Sequence, residues 1–119
     1  MIVRKKPISR RKKKRLGDDP EYRAWIRTQQ CLACYANQLT QTCPTECAHV
    51  GQRGLGQKCS DRETIPLCSV VHHRLGKTSH HVLGKNFFKY HFGQQGEAQT
   101  WINYYNNRYE AMKGLELAV

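Results

Sequence analysis

A stretch rich in histidine and cysteine, residues 47–81, constrains this chain more than any other feature of its sequence. It contains five of the six histidines, and four of these form two adjacent His-His pairs. Upstream, Cys31 and Cys34 form a Cys-x-x-Cys pair. Thiolates and imidazoles are the common protein ligands of zinc and related ions. The pattern therefore predicts a small domain stabilised by metal.

The Cys-x-x-Cys pair predicts half of a structural zinc site. Two thiolates two residues apart can bind one tetrahedral ion, and Cys68 with His72 four residues later supplies a second half site. A redox-active pair would need a strand before it and a helix beginning within it, whereas here a predicted helix precedes it. We therefore expect Cys31, Cys34, Cys68 and His72 to bind a structural Zn²⁺.

Two other uses of the cysteines stay open at this level. Cys43 and Cys47 are spaced Cys-x-x-x-Cys and, together with the Cys-x-x-Cys pair, can form a site of four thiolates. A disulfide scaffold is the other alternative. The interleaved histidines and the absence of an apolar segment after Met1–Lys6, which a secretory signal requires, favour reduced thiolates over disulfides. Cys59 lies in a loop and is expected to be an ordinary small residue.

The positive charge of the chain is concentrated at its amino terminus. Residues 1–17 contain nine of the 20 Lys and Arg residues and no acid, which leaves +2 of the formal charge of +11 for the rest. This segment, 1–17, has too little apolar content to fold alone and is expected to be a disordered arm whose basic residues lie at 4–15. Such an arm can neutralise several DNA phosphates, and its affinity would depend on salt. A nuclear-targeting signal or a solubilising tail is the alternative interpretation.

Length and hydrophobic pattern predict a single α+β domain at residues 18–119. No apolar run is long enough to span a membrane, so a membrane partner is not expected. A glycine-rich loop separates two short β-branched runs, which is typical of a hairpin. The predicted order is a helix beginning with Asp18-Asp19-Pro20 and running to about residue 29, strands at 45–50 and 64–67, a short helix at 69–76, an aromatic helix at 83–91 and a closing helix at 95–113.

The motifs in residues 31–92 resemble the HNH family of metal nucleases, which fold as a ββα-metal (His-Me finger) unit. The resemblance is closest to small phage and prophage proteins with a Cys-x-x-Cys half site. It rests on ordered matches: Cys31 and Cys34, Ala48-His49-Val50, the loop Gly54 to Lys58, Ser60-Asp61, Pro66-Leu67-Cys68, His72-His73-Arg74, and His81 before Leu83-Gly84.

The resemblance implies a role for each matched residue. His49 would be the general base that activates water, and His73 and His81 would bind the catalytic ion, which can be Mg²⁺, Mn²⁺, Ni²⁺ or Zn²⁺. Asp61 is the candidate for the family's middle Asn position, with Glu63 as the alternative. His72 would complete the structural zinc site, although it and its neighbour His73 could exchange roles.

Two departures from the family pattern affect these expectations. Ala48 occupies the position before the base, where many members have a metal ligand, so the ion would depend more on the histidines, with water or Asp61 completing its sphere. Cys68 is separated from His72 by three residues where two is usual, so the chain must bulge there. His80 is expected to face solvent.

The resemblance implies a DNA endonuclease of low sequence specificity in the cytoplasm of a bacterium or of a phage-infected host, with a recombination or packaging protein as a candidate partner. The alternative is a non-catalytic, zinc-containing DNA-binding or recombination accessory protein in which Ala48 marks a lost ligand. A zinc module that binds single-stranded RNA is a third interpretation.

Gly76 lies between His73 and His81, so a bend or an inserted loop must separate these two residues.

Overall fold

The computed structural model of the chain describes residues 17–51, 60–94 and 96–118, without the side chains of 116–118. The predicted basic arm therefore lies outside the described residues, apart from Gly17. Most of the glycine-rich loop and Cys59 lie outside them as well. Within the described residues, no helix has the length and apolar character needed to cross a membrane.

The described residues form a small α+β structure, as the sequence predicted. Its only sheet within these residues is an antiparallel two-stranded hairpin, and short helices surround it. In chain order the elements are α1 (Pro20–Arg27), α2 (Leu32–Ala36), β1 (Thr45–His49), β2 (Thr64–Cys68), a π-helical turn (Ser69–Arg74), α3 (His80–Leu83), a 3₁₀ turn (Gly84–Asn86), α4 (Phe87–Phe92) and α5 (Ala98–Ala118).

Helix α1 begins where its capping residues predict. The side chain of Asp19 accepts a hydrogen bond from the backbone N–H of Tyr22 at 3.1 Å, and Pro20 occupies the first turn, where its missing N–H costs nothing. Tyr22 and Ile26, one turn apart, are completely buried. The helix therefore directs one apolar face into the core and ends close to the Cys-x-x-Cys pair.

The hairpin pairs β1 with β2 in a register that matches His49 with Thr64 and Thr45 with Cys68. All residues of β2 are buried, whereas β1 is mostly half-buried. The predicted strands are thus confirmed to within one residue at their ends. Because β2 lies inside the structure, it provides a rigid base for Cys68 at its end.

A π-helical turn follows β2 and provides the bulge that the spacing of Cys68 and His72 requires. The backbone N–H groups of Leu75 and Gly76 donate to the carbonyl of Val70 at 3.0 and 2.9 Å. These hydrogen bonds span five and six residues, whereas the bond of an α-helix spans four. A Cβ at Gly76 would lie 2.1 Å from the Val71 carbonyl oxygen. Glycine is therefore required where the turn closes.

The aromatic segment after His81 is broken rather than one continuous helix. Gly84 has a positive φ of 56° and ends α3, so the expected helix at 83–91 is wrong at its start, and α4 begins only at Phe87. Phe87, Phe88 and Phe92 are buried in the core.

Helix α5 closes the core through aromatic residues. Tyr105 and Tyr109 are buried. The guanidinium of Arg62 lies 4.6 Å from the ring centre of Tyr22 and 4.8 Å from that of Tyr109, and it forms ion pairs with Asp19 and Glu110. These contacts join α1, the segment before β2 and α5. The burial of Tyr105 and Tyr109 makes these rings part of the core.

Candidate functional site

Four buried side chains, three cysteines and one histidine, meet between three elements. Cys31 caps α2 and Cys34 lies within it, Cys68 ends β2, and His72 lies in the π-helical turn. Their ligand atoms all lie within 4.8 Å of one another. The structure therefore brings together the four side chains expected to bind a structural ion.

The distances within this cluster match those between the ligands of one tetrahedral ion. The sulfurs of Cys31, Cys34 and Cys68 lie 3.5, 3.4 and 3.2 Å from Nδ1 of His72, and those of Cys34 and Cys68 are 3.8 Å apart. A tetrahedral zinc with ordinary bond lengths places two sulfurs about 3.8 Å apart and a sulfur and a nitrogen about 3.5 Å apart. One imidazole nitrogen cannot donate to three sulfurs, so a shared cation explains the convergence better than hydrogen bonds do.

Without a cation the cluster would be an unfavourable group of buried polar atoms. Burial, together with the neighbouring Cys31, raises the pKa of Cys34 to about 11, and the same causes raise the pKa of Cys68. Burial and the nearby His91 lower the pKa of His72, which favours the neutral imidazole that binds metals. This cluster can hold a metal ion such as zinc.

Surrounding hydrogen bonds fix the cluster in place. The backbone N–H of Cys31 donates to the side chain of Gln41 at 2.8 Å. The ring of His91 packs edge-on against His72, with 5.3 Å between ring centres. Nε2 of His91 donates to the carbonyl of Thr78 at 2.7 Å, and Asn37 donates to Nδ1 at 2.9 Å. His91 therefore supports the cluster, a role that the sequence did not suggest.

The alternative four-thiolate site requires Cys43 and Cys47 to lie with Cys31 and Cys34. Within the described residues, neither of them belongs to the cluster. The thiol of Cys47 donates to the carbonyl of Arg23 at 3.2 Å, and the backbone N–H of Val70 donates to the sulfur of Cys43 at 3.4 Å. The five cysteines within the described residues are all free thiols.

His49, the expected base, is paired with Asp61. Its Nε2 lies 2.9 Å from Oδ1 of Asp61, and 39% of its side chain is exposed. An ionised carboxylate only accepts hydrogen bonds, so Nε2 carries the proton and Nδ1 keeps its lone pair. The pair consists of an oriented imidazole with an available basic nitrogen.

Asp61 is itself held by charge and hydrogen bonds. Its other oxygen accepts from the backbone N–H of Asp19 at 2.8 Å and lies 2.9 Å from Nε of Arg23. Burial alone would raise the pKa of Asp61, but the Asp19 N–H, His49 and Arg23 together lower it below its ordinary value. The carboxylate therefore stays ionised next to His49 at neutral pH.

His73, one of the expected ligands of the catalytic ion, contacts Glu46 and His81. Its Nδ1 lies 2.8 Å from Oε1 of Glu46, and its ring centre is 4.7 Å from that of His81. Two imidazoles that bind one ion through one nitrogen each have ring centres about 5 Å apart. The ring separation of this His pair is close to that value, although the only group of three or more potential metal ligands found within the described residues is the Cys₃His cluster.

His80 does not face solvent as expected. It is half-buried against the rings of Phe87 and Phe88, at 5.5 and 6.2 Å between ring centres, and its Nδ1 is buried without a hydrogen-bond partner in the described residues. Burial, with smaller effects of the neighbouring His81 and His73, lowers the pKa of His80 to about 4. The aromatic packing of α4 is the physical reason for this burial.

His49 and Glu46, the partner of His73, project from different faces of β1. Glu46, the partner of His73, and His49 are three residues apart, and side chains on a strand alternate between its faces. Ala48 shares the face of Glu46 and is completely buried. The hairpin alone therefore does not aim His49 at His73 and His81.

Two charged residues at the site, Glu46 and Arg23, were not singled out from the sequence. Glu46 binds both His73 and Arg74, and Arg23 holds Asp61. The alternation of β1 offered one signal, since Glu46 lies two residues before Ala48 and thus on its face. The position of Arg23 depends on how α1 packs against the hairpin, which no local pattern encodes.

The fold and the cluster define a class: a small α+β protein with a buried Cys₃His group that can bind a metal ion. Residues 6–104 match the family described as "Protein of unknown function (DUF968)", and the chain belongs to that family. Searches of curated proteins and of solved structures found no match.

Proposed function

We propose that this protein is a metal-dependent endonuclease of the HNH type that hydrolyses DNA phosphodiester bonds with little sequence specificity. The observation that carries the proposal is the His49–Asp61 pair at the end of β1. A half-exposed imidazole held by a buried carboxylate is a recurring arrangement for a general base. The pair occupies two positions at which this sequence resembles the HNH signature.

In the proposed reaction, Nδ1 of His49 accepts a proton from the water that attacks phosphorus. Asp61 keeps the imidazole in the tautomer with a free Nδ1 and stabilises the positive charge that the ring acquires. His73 and His81 would hold a divalent ion. Once bound, such an ion neutralises charge on the phosphate and on the leaving oxygen.

The buried cluster is proposed to hold a structural Zn²⁺ rather than a reactive one. All four ligands come from the protein, as in closed structural sites, and all are buried away from substrate. A structural zinc here would join α2 to β2 and to the π-helical turn. The turn also carries His73, so the zinc would indirectly position a proposed ligand of the catalytic ion.

The proposed cellular context follows from the chemistry. Reduced thiolates are typical of a cytoplasmic protein. The basic segment 4–15 would bind the phosphate backbone of DNA, and a recombination or packaging protein could supply the specificity that the site lacks.

Nicking of supercoiled plasmid tests the proposal directly. Zinc-loaded protein would be assayed with Mg²⁺, Mn²⁺, Ni²⁺ or additional Zn²⁺, beside His49→Ala prepared in parallel. Loss of a general base should reduce the nicking rate by about 100-fold or more. Glu97→Gln, a change at an exposed position, is the control and should cut at the wild-type rate. Equal cutting by wild type and His49→Ala would eliminate the proposed base.

Two observations favour a second candidate, a non-catalytic DNA-binding or recombination accessory protein. Ala48 is buried where many HNH nucleases have a metal ligand, and Glu46 on the same face is already paired with Arg74. Folded, zinc-loaded protein that binds duplex DNA but cuts with none of the four ions would support this candidate. Preference for single-stranded RNA in competition would instead favour an RNA-binding zinc module.

A further inference from the structure

We infer that Glu46 is a positioning residue whose carboxylate holds the ring of His73 so that Nε2 is the atom presented to the catalytic ion. The inference rests on the proposed function, because binding of that ion by His73 and His81 belongs to the proposal. Glu46 has no counterpart among the motif positions through which the sequence resembles the HNH family.

The contacts of Glu46 show why it acts on the ring. Oε1 lies 2.8 Å from Nδ1 of His73 and accepts from Nε of Arg74 at 2.9 Å, while Oε2 pairs with the other end of the same guanidinium. Both carboxylate oxygens are therefore engaged by donors, and neither is available as a strong metal ligand. The carboxylate is better suited to accept from His73 than to bind the ion.

The hydrogen bond determines which nitrogen of His73 can bind metal. An ionised carboxylate at Nδ1 requires the proton on that nitrogen, which leaves the lone pair on Nε2. A carboxylate behind a metal-binding imidazole also makes the ring a stronger ligand and fixes its orientation. The side chain of His73 is only 13% exposed, and His81 packs against its ring, so the ring has little freedom to turn over.

The fold explains why a residue of β1 performs this role. Side chains alternate along β1, so Glu46 and Ala48 face the same side of the strand. In this chain the buried Ala48 offers no ligand, and the acidic group lies two residues earlier, in contact with the histidine. Arg74, next to His73 in the π-helical turn, holds the carboxylate in place through its two-pronged pairing.

The test compares Glu46→Ala, Glu46→Gln and Arg74→Gln in untagged, zinc-loaded full-length protein with ¹⁵N-labelled histidine. Long-range ¹H–¹⁵N spectra at neutral pH report which ring nitrogen of His73 carries the proton. Calorimetric titration with Ni²⁺ reports the affinity of the second metal site. Arg74→Gln is the matched control, because it removes the same ion pair but leaves the hydrogen bond between Glu46 and His73.

We expect the wild type and Arg74→Gln to hold the proton of His73 on Nδ1, and Glu46→Ala to shift it toward Nε2. Ni²⁺ affinity should fall about 10-fold or more in Glu46→Ala, as for other carboxylates behind metal-binding histidines, and clearly less in Arg74→Gln. Glu46→Gln should retain part of the preference for the proton on Nδ1 and part of the Ni²⁺ affinity, because its amide oxygen still accepts from Nδ1.

An unchanged tautomer in Glu46→Ala would overturn the inference, as would equal losses of affinity in Glu46→Ala and Arg74→Gln. Failure of the proposed function gives a different pattern: the wild type would nick no plasmid, while the tautomer and the Ni²⁺ affinity would still respond to Glu46→Ala. A nicking-competent wild type whose Glu46→Ala variant keeps tautomer and affinity would overturn the inference alone.

Discussion

Two carboxylates, Asp61 and Glu46, each hold a histidine that the sequence marks as a candidate for catalysis. In each pair the carboxylate orients the ring and leaves one imidazole nitrogen for chemistry. Residue identity alone suggested the histidines, but the orientation of an imidazole depends on a partner that can be distant in sequence. His49 and Asp61 are 12 positions apart, and no local rule determines the length of the segment between them.

Replacing Asp61 by Asn should reduce both activity and stability. The variant leaves Arg23 without its counter-charge and no longer enforces the His49 tautomer. We expect nicking to fall about 100-fold or more and the free energy of unfolding to fall by about 1–3 kcal/mol at pH 7. Urea denaturation and plasmid nicking provide the measurements, with the exposed Glu97→Gln as control.

The stability effect of Asp61 should depend on pH in a defined direction. Its pKa is lowered in the folded protein, so its contribution is complete above the ordinary carboxyl pKa of about 4 and disappears as pH falls through the lower folded value. The difference in unfolding free energy between wild type and Asp61→Asn should therefore decrease as pH falls below about 4. A difference that persists undiminished in strong acid would contradict the ion pairing described for Asp61.

At the scale of elements, the Cys₃His cluster joins three short pieces that have little stability of their own. Helix α2 has only five residues, and the π-helical turn six. Segments this short are rarely stable without tertiary contacts or a bound ion. Bringing Cys31 next to His72 connects positions 41 residues apart. The cluster can therefore account for the order of the segment that carries His73.

Single cysteine substitutions should identify the metal ligands. Cys68→Ser is expected to lose the bound zinc and to unfold at a lower temperature, whereas Cys43→Ser and Cys47→Ser should retain one zinc per chain. Elemental analysis and thermal melts measure these outcomes, and removal of zinc by a strong chelator should resemble Cys68→Ser. Retention of zinc by Cys68→Ser together with its loss from Cys43→Ser would instead support the four-thiolate site.

The elements that the sequence predicted well are those with local signals. The Asp19-Pro20 start of α1 and the strands around the glycine-rich loop occur where capping and hairpin rules place them. The aromatic segment after His81 was predicted poorly, because the conformation of Gly84 breaks it and periodicity does not report a positive φ. The burial of His80 was missed for a similar reason, since α4 determines it through tertiary packing.

At the scale of the whole molecule, the concentration of positive charge and the candidate functional site lie in different parts of the chain. The basic arm precedes the described residues and carries nine of the chain's basic residues, whereas the remainder is close to neutral. In the proposed function, this arrangement would let the arm bind DNA mainly through phosphate contacts and leave the groups on the hairpin free for chemistry.

Deleting residues 1–15 tests the role of the arm. We expect weaker binding to duplex DNA at low salt and a shallower dependence of the binding constant on salt concentration, because fewer counterions are released. Fluorescence anisotropy across a series of salt concentrations measures both quantities. The melting temperature should stay within a few degrees of wild type, which separates loss of DNA contacts from loss of folding. Unchanged affinity and salt dependence would assign the arm another role.

The sequence by itself determined the ligand types, the start of α1, the hairpin and the concentration of charge at the amino terminus, because spacing, capping and composition are local properties. Only the tertiary structure decided that Cys68 and His72, rather than Cys43 and Cys47, join the Cys-x-x-Cys pair. It also decided that Glu46 and Asp61 hold different histidines on opposite faces of β1. Such pairings depend on register, strand alternation and packing between distant segments, which take shape only when the chain has folded.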